Sequence, residues 1–247
     1  MESSHKLEAR MNTQDITYQG GGKTLTGYLA DGANGKKAPG ILICHQGGGL
    51  RDHEKERARM LAGLGYVAFA ADMYGAVATN MAEAGPLMNE LASNPQLWQS
   101  RVQAGIDALK AQPNVDPARL AAIGFCFGGG TMIQMARWAA EMKCLVAFHP
   151  GMQGLPEKDD RPVVTKLMIC AGQKDPLIPA EARERFLKLM ADAGADCQLI
   201  TYAKAGHSFT DKTVAQFNMP NFEYDADTDR RSWAAMRDLF DETLGKP

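Results

Sequence analysis

The chain has 247 residues, of which 45% are hydrophobic, and it carries a formal net charge of −2 with a pI near 6.2. This composition suits one large domain with a substantial core, and it lacks the basic excess that nucleic acids or anionic membranes attract. No apolar stretch approaches the roughly 18 residues that a membrane-spanning helix needs.

The N-terminus and the cysteines indicate where the protein works. Residues 1–12 are polar and lack a signal-peptide core, so we expect a flexible leader or tag ahead of one domain at 13–247. Five cysteines, an odd count without CxxC spacing, favour a reducing cytoplasm without a disulfide framework. The five histidines show no metal-ligand spacing, so no metal is expected.

Apolar runs separated by turn residues predict strands that alternate with helices. Residues 13–18 and 24–30 predict an opening hairpin across three glycines. Further strands are expected at 40–44, 66–71, 120–123, 143–148, 163–171 and 196–202, and helices at 53–64, 97–111, 127–141, after Pro179, and at 229–243. Residues 76–96 predict a short helix and a loop that partly cap the site. This alternation indicates an α/β fold with a mostly parallel central sheet flanked by helices on both faces.

Residues 124–128 read Gly-Phe-Cys-Phe-Gly directly after the apolar run 120–123. A G-x-nucleophile-x-G pattern between a strand and a helix is typical of the nucleophile elbow of α/β-hydrolases, here with cysteine in place of serine. The sulfur of Cys126 would then lie at the head of a helix, whose partial positive charge favours the thiolate. The alternative interpretation is a buried cysteine beside a tight turn.

Two later residues complete the order nucleophile, acid, histidine that an α/β-hydrolase triad requires. Asp175 comes just after the apolar run 167–172, and His207 just after the run 197–202. Since open α/β sheets carry functional residues at the carboxyl ends of their strands, we expect these side chains to meet Cys126. His207 would act as base and then acid, and Asp175 would orient it and stabilise its cation. Taken singly, Asp175 also fits a turn residue or helix cap, and His207 an ordinary loop histidine.

An acyl-transfer site also needs donors for the developing oxyanion. One predicted donor is the backbone N–H of Phe127, the residue after the nucleophile. The other is the backbone N–H of Gly47, in the glycine-rich loop after the first central strand. A flexible turn is the alternative interpretation of that loop.

These motifs resemble the dienelactone hydrolase family of α/β-hydrolases over nearly the whole chain after about residue 13. The segments that carry the resemblance are 65–75, 124–129, 172–176, 205–209 and 229–233. The resemblance implies a Cys–His–Asp triad on Cys126, His207 and Asp175, no cofactor, and hydrolysis of lactones or activated esters. The sequence is also similar to dienelactone-hydrolase-like enzymes that cleave aryl esters and, as a side activity, phosphotriesters.

The chain departs from the best-known family members at two charged positions. Those members carry a glutamate beside the nucleophilic thiol, where this chain has Gln46. They also hold the substrate carboxylate with arginines. One lies four residues after the histidine, where this chain has Asp211, and the other lies in a segment that here contains no arginine between Arg59 and Arg101. The departures favour a neutral substrate.

The pocket candidates are polar or aromatic residues near the predicted strand ends: Gln46, Tyr74, Trp98, His149, Asp211, Phe222 and Tyr224. The aromatic residues are equally compatible with core packing, and His149 with a structural histidine.

Three hypotheses on function follow. The first is a cofactor-free hydrolase of neutral esters or lactones that forms a covalent cysteinyl intermediate. The second is phosphotriester hydrolysis by the same thiolate, and the third is a non-catalytic redox-responsive or ligand-binding protein. The expected partner is a small neutral ester, lactone or organophosphate, with no nucleic acid and no membrane, and the protein is expected to be a monomer or a homodimer.

Overall fold

The computed structural model describes residues 11–152, 155 and 161–247. The strands in this part of the chain are β1 (Asn12–Gly20), β2 (Lys23–Asp31), β3 (Ala38–Cys44), β4 (Val67–Ala71), β5 (Val115–Phe125), β6 (Cys144–Phe148), β7 (Lys166–Gly172) and β8 (Cys197–Tyr202). The helices are α1 (Asp52–Ala62), α2 (Met81–Ala92), α3 (Pro95–Lys110), α4 (Phe127–Arg137), α5 (Ala180–Asp192) and α6 (Ala226–Leu244), with a 3₁₀ helix at Val214–Phe217.

The strands form one eight-stranded sheet in the order β1-β2-β4-β3-β5-β6-β7-β8. The pairs β3–β4, β6–β7 and β7–β8 are parallel, whereas β1–β2 and β2–β4 are antiparallel. The predicted opening hairpin is confirmed, with Asn12 opposite Asp31 and Gly20 opposite Lys23. The predicted α/β class with a mostly parallel sheet is likewise confirmed.

Internal contacts divide the chain into two compact units. The first unit ends at Ala121 and includes residues 244–247, and the second covers Ala122–Thr243, so the boundary falls within β5. The expected leader at 1–12 lies mostly outside the described residues, and β1 already begins at Asn12. A single domain at 13–247 stays a prediction.

In the first unit, β3 and β4 are buried along their whole length, which explains their uninterrupted apolar sequences. The segment 76–96 contains more helix than its sequence suggests, since α2 alone has 12 residues. The side chain of Asn80 accepts a hydrogen bond from the N–H of Glu83 and caps α2, and Asn94 caps α3 in the same way. Pro95 begins α3, where a proline costs no helical hydrogen bond.

In the second unit, β6 is wholly buried, and α4 begins directly after Cys126. Helix α4 ends at Arg137, four residues before its predicted end, because Ala139 adopts a left-handed φ of 54°. A methyl group on Gly124 would lie 2.0 Å from the carbonyl oxygen of Gly128, so the tight turn from β5 into α4 requires glycine there.

Within the described residues, no helix has both the length and the apolar character needed to cross a membrane.

Candidate active site

Cys126 lies at the point where β5 turns into α4. Its backbone has φ 52° and ψ −110°, a conformation that costs about 1–3 kcal/mol for a residue with a side chain. Its N–H donates to the carbonyl oxygen of Phe148 at 3.0 Å and to Nδ1 of His149 at 3.2 Å. Its carbonyl oxygen accepts from the N–H of Gly130 at 3.0 Å, as the first bond of the helix. The half-buried side chain therefore leaves the chain at a sharply bent and well-anchored position.

Asp175 and His207 form a buried pair in the second unit. The Nδ1–H of His207 donates to Oδ2 of Asp175 at 2.8 Å, and both side chains are fully buried. The other carboxylate oxygen, Oδ1, accepts from the N–H of Leu177 at 2.8 Å. Both oxygens of Asp175 are thereby occupied, and the proton on Nδ1 of His207 fixes Nε2 as the nitrogen that faces away from the acid.

The loops that carry this pair touch through their backbones. A methyl group on Gly172 would lie 2.3 Å from the carbonyl oxygen of Gly206, and the N–H of Lys174 donates to the carbonyl oxygen of Ala205 at 3.0 Å. The two loops therefore hold Asp175 and His207 at a fixed separation.

A second backbone contact supports the ring of His207. The N–H of His207 donates to the carbonyl oxygen of Asn221 at 2.7 Å, and the carbonyl oxygen of His207 accepts from the N–H of Glu223 at 3.2 Å. This pairing brings the ring of Phe222 to 4.6 Å from the ring of His207. Phe222 therefore flanks the candidate base, whereas Tyr224 is 36% exposed.

The charge of Cys126 acts on His207. Burial lowers the pKa of His207, but the negative charge of Cys126 and the hydrogen bond to Asp175 outweigh it and raise the pKa from 6.5 to about 10. Nε2 of His207 is buried, and a hydrogen bond with the side chain of Cys126 also contributes to the raised pKa of His207. A negative charge on Cys126 therefore favours the protonated form of His207 at neutral pH.

The raised pKa of His207 gives a testable pH dependence. We expect the imidazole of His207, followed by NMR, to titrate far above 6.5, and the titration midpoint to fall in Cys126→Ala because the negative charge is lost. A raised pKa means that the folded protein holds this proton more tightly than the unfolded chain. Its contribution to stability is therefore complete below pH 6.5 and lost as the pH rises through about 10.

The matched control for this titration is Cys197→Ala, which removes a half-buried thiol from β8 and should leave the midpoint unchanged. A wild-type midpoint at or below 6.5 would contradict the charge assignment.

Two further pocket candidates lie in the second unit. His149 is fully buried, and its ring centroid lies 5.2 Å from that of His207. Asp211 is 5% exposed, and its Oδ1 accepts from the N–H of Thr213 at 2.8 Å and from the hydroxyl of Thr213 at 2.7 Å. A carboxylate thus stands in the loop of the candidate base, four residues after His207. Phe127, the predicted oxyanion donor, is the first residue of α4, where backbone N–H groups point out of the helix.

The remaining predicted residues lie in the first unit, and two of them, Gln46 and Tyr74, contact His45. The Nδ1–H of His45 donates to the carbonyl oxygen of Gln46 at 2.7 Å, and Nε2 accepts from the N–H of Met73 at 3.1 Å. The bond accepted by Nε2 requires the neutral ring, and burial lowers the pKa of His45 in the same direction. The ring of Tyr74 packs edge-on at 4.5 Å. Trp98 is largely buried on α3.

Sequence reasoning missed two residues that shape the predicted oxyanion loop. Glu54 is fully buried, and its carboxylate accepts from the N–H groups of Gln46 at 3.1 Å and Arg51 at 3.0 Å. Its place three residues into α1 after Arg51 is the spacing of a capping glutamate, which is a readable signal. Met88 of α2 packs on Gly47, where a methyl group would lie 2.7 Å from its sulfur. No sequence pattern indicates that contact.

In the described ranges, no group of three or more His, Cys, Asp or Glu side chains could hold a metal ion.

The sheet, the strand-to-helix turn at Cys126, and the later strand ends that carry Asp175 and His207 define an α/β-hydrolase fold. Residues 25–244 match the model of the dienelactone hydrolase family. The chain therefore belongs to the dienelactone hydrolase family, and it is a hydrolase that acts on ester bonds.

Several relatives resemble the chain over almost its full length. A Yersinia pestis protein named "putative carboxymethylenebutenolidase" is 28% identical over 253 residues, which cover 96% of this chain and 91% of the relative. The solved structure of m3DLH has a TM-score of 0.89 at 39% identity and covers 95% of this chain and 99% of its own. The dienelactone hydrolase-like promiscuous phosphotriesterase P91 from metagenomic libraries has a TM-score of 0.89 at 36% identity, over 96% of this chain and 100% of its own.

Proposed function

We propose that the protein is a cofactor-free hydrolase of neutral esters or lactones that uses Cys126 as nucleophile, His207 as acid and base, and Asp175 as the group that orients His207. The observation that carries this proposal is the buried hydrogen bond of 2.8 Å between Asp175 and His207, with the charge of Cys126 raising the pKa of the same histidine. Membership of a hydrolase family supports turnover over the non-catalytic alternative.

The reaction begins with the thiolate of Cys126 attacking the acyl carbon, while the carbonyl electron pair moves onto oxygen. The backbone N–H of Phe127 stabilises that oxyanion, and the N–H of Gly47 stays the predicted second donor. When the oxyanion collapses, the bond to the leaving oxygen breaks, and the Nε2 proton of His207 passes to the leaving group. The result is a thioester on Cys126 and a neutral His207.

Water completes the cycle. Neutral His207 takes a proton from water at Nε2, and the resulting hydroxide attacks the thioester carbon. Collapse of this second oxyanion releases the acid product and restores the thiolate of Cys126 beside protonated His207. Asp175 keeps Nδ1 protonated throughout, so the same ring nitrogen exchanges protons in both halves of the reaction.

The charge of the loop that carries His207 supports a neutral acyl group. Asp211 presents a buried carboxylate there, held by Thr213. A negative substrate group near this carboxylate would meet like charge, and rejection of a like charge at close range is strong. The match to P91 supports phosphotriesters as a second substrate class, since a thiolate can attack phosphorus in the same pocket.

The substrate class can be tested with two p-nitrophenyl esters of similar length. We expect stoichiometric burst release of p-nitrophenol from the neutral butyrate, because an activated aryl ester acylates the thiolate faster than water hydrolyses the thioester. We expect kcat/KM for the anionic mono-succinate to be lower by about tenfold or more, since like charges repel. Equal values for the two esters would sink the neutral-substrate proposal.

Asp211→Asn is the matched variant. Both bonds from Thr213 go to Oδ1, so an asparagine with its carbonyl oxygen in that place keeps these two bonds and removes the negative charge. We expect this variant to reduce the difference in kcat/KM between the neutral butyrate and the anionic mono-succinate. Comparing kcat/KM for a phosphotriester such as paraoxon with kcat/KM for the two esters shows which substrate class the protein prefers.

The cysteines support the proposal that the protein works in the cytoplasm. All five are free, which supports the expectation of a reducing cytoplasm.

A further inference from the structure

His149 holds an unusual place next to the candidate nucleophile. It follows β6 directly, is fully buried, and adopts a left-handed φ of 40°. Its own N–H donates to the carbonyl oxygen of Cys170 at 2.8 Å, which ties it to β7. The left-handed backbone and the bond to β7 therefore fix the direction in which the ring of His149 leaves the chain.

Each ring nitrogen of His149 has a hydrogen-bond partner. Nδ1 accepts from the N–H of Cys126 at 3.2 Å, so the proton of the neutral ring sits on Nε2. Nε2–H then donates to Oγ1 of Thr210 at 2.8 Å. Thr210 is buried in the loop that carries His207. The imidazole thus bridges the backbone of the nucleophile and the loop of the base.

Ring packing reinforces this bridge. The ring of His149 stands edge-on to the ring of His207, with centroids 5.2 Å apart and planes at 68°. It also stands edge-on to Phe209, with centroids 5.0 Å apart and planes at 83°. Edge-to-face packing of this kind restricts the rotation of both partners.

We propose that His149 is a positioning residue for this reaction: its neutral imidazole holds the amide of Cys126 and the loop of His207 in one register. The inference rests on the proposed function of Cys126 and His207. The N–H of Cys126 is shared between the carbonyl oxygen of Phe148 and Nδ1 of His149, so His149 supplies the second of two contacts that hold the strained backbone of the nucleophile. A displacement of about 1 Å at the nucleophile can cost about 100-fold in rate. His149 itself transfers no proton, because both of its nitrogens are engaged in the bridge.

Two substitutions separate the two halves of the bridge. In His149→Gln, the side-chain NH₂ can reach the place of Nε2 and keep the bond to Thr210, but the Cys126 amide loses Nδ1 and keeps the carbonyl oxygen of Phe148 as its acceptor. In His149→Asn, the side-chain oxygen can replace Nδ1 and keep the bond to Cys126, but the donor to Thr210 is lost. Thr210→Val removes the same bond from the other side with little change of shape.

We expect His149→Gln to lower kcat for a neutral p-nitrophenyl ester by about 100-fold, with KM changed much less, because the misplaced nucleophile affects the chemical step. In the same His149→Gln variant, we expect iodoacetamide to alkylate Cys126 more slowly than in wild type. We also expect the pH at which alkylation reaches half of its maximal rate to be higher. His149→Asn should restore most of the loss, and Thr210→Val should add nothing to the effect of His149→Asn. His53→Gln on α1 is the control for the substitution itself.

Alkylation needs no ester turnover, so it separates this inference from the proposed function. If wild type is alkylated quickly but hydrolyses no ester, the proposed function fails and the positioning role is still read from the variants. If folded His149→Gln keeps the wild-type pH profile and rate of alkylation, the positioning role is overturned. If His149→Gln does not fold, the double variant of Thr210→Val and His149→Asn tests the proposal instead. If the losses of kcat in the two single variants add in the double variant, the two residues act independently and the bridge is overturned.

Discussion

Replacing Cys126 with alanine is expected to lower kcat/KM for neutral esters by about 10⁴-fold or more, and to abolish the burst of p-nitrophenol. The reason is that the variant retains the Asp175–His207 pair but has no atom that can form the thioester. The measurement is stopped-flow hydrolysis of a p-nitrophenyl ester, together with steady-state hydrolysis of paraoxon. Parallel loss of both activities would show that one sulfur serves both substrate classes.

The control for Cys126→Ala is Cys197→Ala on β8, which deletes another half-buried thiol and should keep the burst. Loss of ester turnover with retention of paraoxon turnover would assign the two reactions to different groups. Retention of both in Cys126→Ala would remove Cys126 from the reaction altogether.

The second large effect is expected from Asp175→Asn, which should lower kcat by about 10³- to 10⁴-fold. Both oxygens of Asp175 accept hydrogen bonds, one from the backbone N–H of Leu177 and one from Nδ1–H of His207. An asparagine has only one acceptor oxygen, so its NH₂ group must face one of these donors. If it faces His207, the ring changes tautomer and presents a protonated Nε2 that can no longer act as base.

A pH–rate profile and a thermal unfolding curve check this second prediction. Asp192→Asn makes the same substitution in an exposed pair with Lys188, which is worth little to stability, and it should keep wild-type kcat. A folded Asp175→Asn variant with activity within tenfold of wild type would contradict the orienting role of Asp175.

The contact between Asp175 and His207 could be anticipated from the sequence because each residue follows a short apolar run. Such runs are central strands of a parallel sheet, and their carboxyl ends meet at one edge. The turn at Cys126 could also be predicted from its glycines, since only glycine at position 124 avoids a clash with the carbonyl oxygen of Gly128. These features follow from local sequence and from one rule of sheet geometry.

Other features could not be anticipated, because they depend on neighbours distant in the chain. Strand β5 begins at Val115 rather than at residue 120, and it includes the polar stretch around Pro117, which no apolar pattern marks as strand. Pro86 lies inside α2, where a proline normally predicts a helix end. The bridge of His149 to Thr210 spans 61 residues of chain, and nothing in the local sequence of either residue indicates it.

The contact of Gly172 with the carbonyl oxygen of Gly206 restricts how this protein can diverge or be engineered. Even one added methyl group at position 172 would push apart the loops that carry Asp175 and His207. A side chain at position 172 would therefore need a compensating change in the loop of His207. A single mutation does not supply both changes. New substrate ranges are more accessible through side chains away from this contact, such as Asp211 and Phe222, than through the loops themselves.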